Sequence, residues 1–284
     1  MSDALDGVRG HYRATGLTER LKAALTVFGP DEPLLEPLQL EALDQFHTRG
    51  LAATAELAEL AGITADMSVL DVGSGIGGPA RVLASTRGCR VVGIELSEPF
   101  VDAARYLTER TGQSERVSFR SGSALELPFE DGRFDAALLQ HVAMNIADRA
   151  RLYREIRRVL KPRGKFATFD VVANGNEPHY PVPWARTPDT SFLLTADATR
   201  DAIEHAGFRT LAWQDDTASA KAWIAQRRMS GPPTSPHLGM VLGPDFAQLF
   251  ANLARNLVES RVGILTAVFE AAPVEIQNRT ENRS

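Results

Sequence analysis

The sequence predicts a doubly wound α/β fold with a mostly parallel sheet. Three observations carry this. Through the middle of the chain, short apolar runs ending in glycine or an acid alternate with segments of helical spacing. A glycine-rich stretch follows the first run directly. The strand–helix–strand rhythm then needs right-handed crossovers, which lay helices on both faces of a parallel sheet.

Residues 1–65 read mostly as helix and are expected to form an N-terminal helical lid, with amphipathic segments at Glu41–Phe46 and Leu51–Leu60 and Gly62 just past the second. Between Gly29 and Pro37, proline and acids make the chain irregular. The core is expected over 66–272. Its first strand is Ser68–Val72, followed by a helix over Pro79–Thr86. Arg90–Glu95 is the second strand and Glu98–Thr111 the next helix. Val117–Arg120 is a short third strand. Phe134–Gln140 is the fourth, leading to a helix over Asp148–Leu160 that Lys161-Pro162-Arg163-Gly164 stops. Lys165–Val172 and Phe208–Gln214 are the fifth and sixth strands, and Val262–Phe269 is the last.

A helical insertion, 217–260, precedes that last strand. Ser219–Met229 reads as helix and Gly231–His237 as loop. Phe246, Leu249, Phe250, Leu253 and Leu257 then recur at i, i+3, i+4, i+7 and i+11, one apolar stripe read as cap core or a subunit contact. Residues 273–284 form a polar tail, expected to fray.

Composition excludes several classes. The 284 residues carry 31 Lys+Arg against 36 Asp+Glu, a net charge of −5, which argues against a sequence-independent grip on nucleic acid. The one cysteine, Cys89, rules out an intrachain disulfide and a thiolate-rich metal site. No apolar run approaches the ~20 residues of a membrane helix. Met1–Gly10 is acidic and lacks the apolar stretch of a signal peptide. The expectation is a soluble, cytoplasmic protein with no metal and no membrane or nucleic-acid partner; a homodimer is left open.

The stretch Asp71-Val72-Gly73-Ser74-Gly75-Ile76-Gly77-Gly78 is the most informative. An apolar strand runs into glycines, which let a ligand lie against bare backbone, and a helix N-terminus follows, offering unsatisfied N–H groups. Gly73, Gly75 and Gly78 satisfy G-x-G-x-x-G, which equally suits a dinucleotide. Asp71 shifts the balance. A fixed carboxylate there opposes a pyrophosphate and suits an ammonium or sulfonium; alternatively, it caps the loop through backbone hydrogen bonds. Glu95 closes the second strand 22 residues after Gly73. An acid at that spacing accepts from ribose hydroxyls, its two oxygens matching a vicinal diol; otherwise it is a solvated acid at a strand end.

With these residues in place, the chain resembles the class I S-adenosylmethionine-dependent methyltransferases. The stretches Val69–Gly78, Gly93–Ser97, Gly122–Phe129, Phe134–His141 and Val159–Gly164 carry the resemblance, in the family's order, across 66–172. It is nearest to small-molecule enzymes of the ubiquinone-biosynthesis, sarcosine/dimethylglycine and tocopherol type. The resemblance implies a seven-stranded Rossmann-like methyltransferase fold, the last strand antiparallel beside the fifth, and S-adenosyl-L-methionine as cofactor. It implies that Asp71 with Gly73, Ser74, Gly75 and Gly77 holds the methionine part, and that Glu95, with Leu96 beside it, holds the ribose. Ser123 and Ala124 would meet the adenine, where the family usually has Asp-Ala, and Gln140 would face the methionine end.

Methyl transfer is an in-line displacement at a carbon already activated by a sulfonium, so no metal is required. The protein must align the nucleophile, exclude water and help remove any proton. His141, directly after the fourth strand, is the first candidate for that help; alternatively, it only orients the cofactor or a loop carbonyl. His47 is the second, with Arg49 nearby to hold an anionic substrate group. Tyr12 could lie over a sulfonium or substrate through cation–π attraction. His47 and Tyr12 could equally be surface or packing residues. Tyr180 and Trp184, in the proline-rich loop His179–Arg186, should border the substrate pocket or else brace the sheet. The expected function is methyl transfer to a small-molecule acceptor at O, N, S or C. Competing readings are a nicotinamide-dependent oxidoreductase with the same glycine spacing, and a cofactor-binding protein without catalysis.

Overall fold

A computed structural model describes residues 16–29, 34–229 and 236–272. Its centre is one sheet of β1 (Ser68–Val72), β2 (Arg90–Glu95), β3 (Val117–Ser121), β4 (Phe134–Gln140), β5 (Leu160–Ala173), β6 (Phe208–Asp215) and β7 (Val262–Ala271). The strand order is β3-β2-β1-β4-β5-β7-β6. The first five strands pair in parallel, and β7 lies antiparallel between β5 and β6. This is the doubly wound, seven-stranded arrangement expected from the sequence.

Side chains alternate across a pleated strand, and the two cores follow that period. Val69, Ala136 and Leu138 enter one hydrophobic cluster, whereas Leu70, Ala137 and Leu139 enter the other. The first face is covered by α3 (Gly50–Leu60), α4 (Gly78–Arg87), α5 (Glu98–Arg110), α8 (Thr217–Met229) and α10 (Phe246–Val258). The second is covered by α6 (Arg149–Val159) and α7 (Ala196–His205). Thr195 caps α7, its Oγ1 accepting from Ala198 N at 3.2 Å; the sequence reading had no helix there.

The N-terminal helices divide. α3 puts Ala53, Leu57 and Ala58 into the sheet's own core. Only the part before it, α1 (Leu17–Leu25) and α2 (Glu41–Asp44), forms a separate layer, where Leu17, Leu21, Leu25, Leu40 and Leu43 pack on Phe100 and Leu107 of α5. The helix expected over Glu41–Phe46 stops at Asp44, because Gln45 turns to extended backbone (φ −97°, ψ 99°). Leu238 N, just before α9 (Gly239–Leu242), donates to Ala42 O at 2.8 Å, so lid and insertion meet.

β5 begins at Leu160, earlier than expected. The Lys161–Gly164 stop does end α6, but the chain re-enters the sheet at once, through a register break between Phe134 and Ala136 of the neighbouring strand. The 273–284 tail, most of the Gly231–His237 loop and Tyr12 lie outside the described residues. Among the described residues, no helix is long and apolar enough to cross a membrane.

Candidate active site

A cavity of about 880 Å³ opens at the carboxyl ends of β1, β2 and β4. Asp71, Glu95 and Gln140 reach its wall from these strands, residues 41–48 cover it from the lid, and α8 and α10 close it from the insertion. The glycine loop is welded to the sheet, Gly73 N and Ser74 N donating to Ile94 O at 2.8 and 3.1 Å. Gly73 has φ +73°, and a Cβ there would stand 2.5 Å from Val142. Gly73, Ser74 and Gly75 line the cavity. Gly77 does not. It caps the N-terminus of α4 at φ +82°, where a Cβ would meet the Phe119 ring at 2.3 Å. The expectation that Gly77 touches the ligand is therefore corrected: close packing requires it.

Asp71 is buried, and its Oδ2 has no hydrogen-bond partner. Burial, reinforced by the charge of Glu95 and opposed by Arg81, pushes its pKa up to about 7. Glu95 accepts from Gly75 N at 3.1 Å and from Ser97 N at 2.9 Å. Burial raises its pKa, and those N–H groups oppose the rise. Ser74 Oγ and Gln140 Oε1 are likewise buried without partners. A wall with an unpaired carboxylate oxygen, an unpaired amide oxygen and an unpaired hydroxyl calls for a ligand rich in donors, since orphaned buried polar groups are costly. That donor set fits the amino-acid end of S-adenosyl-L-methionine, whose ammonium would sit on Asp71. Leu96, Ser123 and Ala124 also line the cavity. Ser123 Oγ accepts from Leu125 N at 3.2 Å, holding the turn.

The structure brings His47 and His141 together, ring centroids 6.0 Å apart. His141 has φ +53° and stacks on Phe169 at 5.3 Å and 9°. Its Nε2 lies 3.5 Å from Thr48 Oγ1. His47 Nδ1 lies 3.1 Å from Thr48 O. A carbonyl only accepts, so that nitrogen carries the proton and Nε2 is the acceptor. Nε2 is 3.1 Å from Thr54 Oγ1 and 3.4 Å from Gln140 Nε2. Burial lowers the His47 pKa to about 4, the Thr48 carbonyl opposing and Arg49 assisting. Burial, with His47 beside it, holds His141 well below its usual 6.5. Both imidazoles are neutral near pH 7 and able to accept a proton.

Two expectations are corrected. Arg49 is not on the cavity wall; it pairs with Asp216, and with Glu56 at 2.6 Å, so no charge is left for a substrate. Tyr180 packs against the hydrophobic core instead of lining the cavity. Trp184 does line it, its Nε1 donating to Ser191 Oγ at 2.9 Å. Sequence reasoning missed Asp44, Phe46, Thr48 and Thr54, whose placement depends on the lid and α3 folding over the sheet. It also read the Phe246–Leu257 stripe as cap core or subunit contact, although Phe246, Phe250 and Leu253 face the cavity. Among the described residues, no group of three or more His, Cys, Asp or Glu is disposed to hold a metal ion.

Residues 70–168 match the family described as a methyltransferase domain. A sterol 24-C-methyltransferase of Gibberella zeae is 39% identical over 114 residues, which is 40% of this chain and 30% of that protein. The chain spans under half the length of the curated relatives it matches. Among solved structures, the cyclase SpnF is similar at 27% identity and TM-score 0.63, over 78% of this chain and 81% of that one. A geranyl diphosphate C-methyltransferase from Streptomyces coelicolor A3(2) has TM-score 0.69 at 17% identity, over 96% of this chain and 99% of that one, a likeness of fold.

Proposed function

We propose that this chain, a member of the class I S-adenosylmethionine-dependent methyltransferases through residues 70–168, transfers a methyl group to a small and mainly apolar acceptor. The observation that carries this is Asp71: a buried carboxylate with an unpartnered oxygen, at the strand end beside the glycine loop. A pyrophosphate against it would be repelled, which disfavours the nicotinamide reading, whereas an ammonium supplies the missing donors.

S-adenosyl-L-methionine, when bound, supplies a methyl carbon activated by a sulfonium. Asp71, Ser74 and Gln140 would bind its amino-acid end, Glu95 its ribose hydroxyls, and Ser123 and Ala124 its base. The aromatic and aliphatic wall of Phe46, Met144, Trp184, Phe246 and Phe250 excludes water and holds an apolar acceptor in line. If the accepting atom carries a proton, His141 or His47 takes it as a neutral imidazole, a role open to both because burial keeps them uncharged.

Calorimetry with S-adenosylhomocysteine tests the binding half: saturable heat is expected for the wild type, and its absence would overturn the reading. The likeness to a cyclase favours one second reading, in which the same cavity promotes ring closure of a bound acceptor. Mass spectrometry separates the two. Methyl transfer adds one methylene to the acceptor and yields one S-adenosylhomocysteine per turnover; ring closure leaves the mass unchanged.

A further inference from the structure

The charged side chains on the cavity wall come from different elements according to sign. The acids Glu41, Asp44, Asp71, Glu95 and Asp148 come from the lid, the sheet ends and the N-cap of α6. Among the described residues, the only arginines on the wall, Arg227 and Arg228, come from the last turn of α8. Among the described residues, neither has a carboxylate partner, in contrast to Arg49, Arg81, Arg158 and Arg261. Arg227 is pre-positioned over the Trp223 ring, 4.9 Å from its centroid. From Trp223 an aromatic row runs along the wall: Trp223 to Phe250 at 6.0 Å, Phe250 to Phe246 at 5.7 Å, and Phe246 to His237 at 6.4 Å. His237 Nδ1 accepts from Gly239 N at 3.1 Å, leaving Nε2 as a donor.

We propose that Arg227 and Arg228 are an anion-binding subsite and that the acceptor is an amphiphilic anion, its apolar body on the Trp223–Phe250–Phe246 row and its carboxylate or phosphate on the two guanidinium groups. This rests on the methyl-transfer reading for the word acceptor, but the subsite stands on its own geometry. Planar guanidinium forks match both oxyanions bidentately. The acids on the wall suit a cationic methyl donor and repel an anion, whereas the two guanidinium groups attract one, so charges of the two signs give each ligand its own subsite.

Four probes of one chain length test this: decanoate, decyl phosphate, decan-1-ol and decyltrimethylammonium, each titrated into the full chain with and without S-adenosylhomocysteine, and followed by tryptophan fluorescence. At least one of the two anions is expected to bind about tenfold tighter than decan-1-ol, the scale of one or two charged hydrogen bonds; which anion wins identifies carboxylate or phosphate. The Arg227→Gln/Arg228→Gln variant should bring that anion down to the affinity of decan-1-ol, leaving decan-1-ol and S-adenosylhomocysteine binding as in the wild type. The Arg227→Glu/Arg228→Glu variant should prefer decyltrimethylammonium. Equal binding of decan-1-ol and both anions by the wild type, or an anion preference that survives in both variants, overturns the proposal. Failure of S-adenosylhomocysteine to bind counts against methyl transfer and leaves the anion preference standing.

Discussion

Arg81 Nη2 donates to Asp44 Oδ2 at 2.8 Å, and both side chains are shut off from solvent. Arg81 belongs to the helix that follows the glycine loop and Asp44 to the lid, so one buried ion pair ties the cover of the cavity to its floor. Arg81 also donates to Ala104 O and Thr108 Oγ1, at 3.3 and 3.2 Å. Burial raises the Asp44 pKa and lowers that of Arg81, the mutual attraction only partly offsetting it on each side. Desolvation opposes the attraction on both partners, so the intact pair adds little net stability even though breaking it is costly.

Asp44→Ala should therefore destabilise the protein by about 3–5 kcal/mol, because it strands a buried cation. The double variant Asp44→Leu/Arg81→Met, which removes both charges, should recover most of that loss. Urea denaturation of the three proteins checks this; a double variant no more stable than Asp44→Ala would refute it.

Ligand binding should depend on pH through Asp71. In the ligand-free protein its pKa is about 7, against an ordinary value of 3.8. Between those values the folded chain holds more protons than the unfolded one, so this group's contribution to stability falls as pH rises across that window. An ammonium on Asp71 requires the ionised form, so binding below pH 7 must release a proton. Affinity for S-adenosylhomocysteine should climb from pH 5 to 7, by up to about tenfold per unit, and level off above. Asp71→Asn should bind weakly at every pH, with no such slope in calorimetry.

The loop glycines should separate into structural and ligand-facing classes. Gly77→Ala drives a methyl into Phe119 at positive φ and should destabilise the fold by roughly 2–4 kcal/mol. At Gly75 a Cβ would meet only the Phe46 ring at 3.6 Å. Gly75→Ala should cost only about 1–2 kcal/mol of stability, for its left-handed backbone, while its methyl crowds the cavity and weakens S-adenosylhomocysteine binding. Paired denaturation and calorimetry would show both outcomes.

His141→Ala should lower turnover at saturating cofactor by about 10²-fold, within the range of a positioned base, with little change in S-adenosylhomocysteine affinity. Because burial holds both histidines below the ordinary imidazole range, wild-type turnover at saturating donor should show no fall near pH 6.5 and should be lost as His47 charges near 4. Turnover of wild-type size in His141→Ala would assign that residue an orienting role only.

Asn256, on α10, grips the loop that carries Trp184. Its Oδ1 accepts from His179 N at 2.8 Å and its Nδ2 donates to His179 O at 3.0 Å. Asn256→Ala leaves both backbone groups unpaired and should cost about 1–3 kcal/mol. Quenching of tryptophan fluorescence by acrylamide should rise in that variant as Trp184 loosens.

What the sequence determined by itself was what local periodicity and short-range spacing encode. The apolar runs alternating with helical segments determined the seven strands, because a short apolar run bounded by glycine or an acid is a local signal; which side chain enters which core was decided by the folded sheet. Asp71, Gly73, Gly75 and Glu95 marked one cavity wall, since all of them sit at strand ends or in the turn between β1 and α4. The tertiary structure alone decided everything that joins distant segments. Arg49 and Asp44 are both charged lid residues; only the folded chain shows that one is consumed by Asp216 and Glu56 and the other by Arg81. The stripe at Phe246, Phe250 and Leu253 reads as apolar in sequence, but helical spacing reports that a face is buried and not what buries it. That three residues of the stripe line a cavity shared with carboxylates of the sheet ends and with two arginines of α8 follows from how the insertion folds back over the sheet.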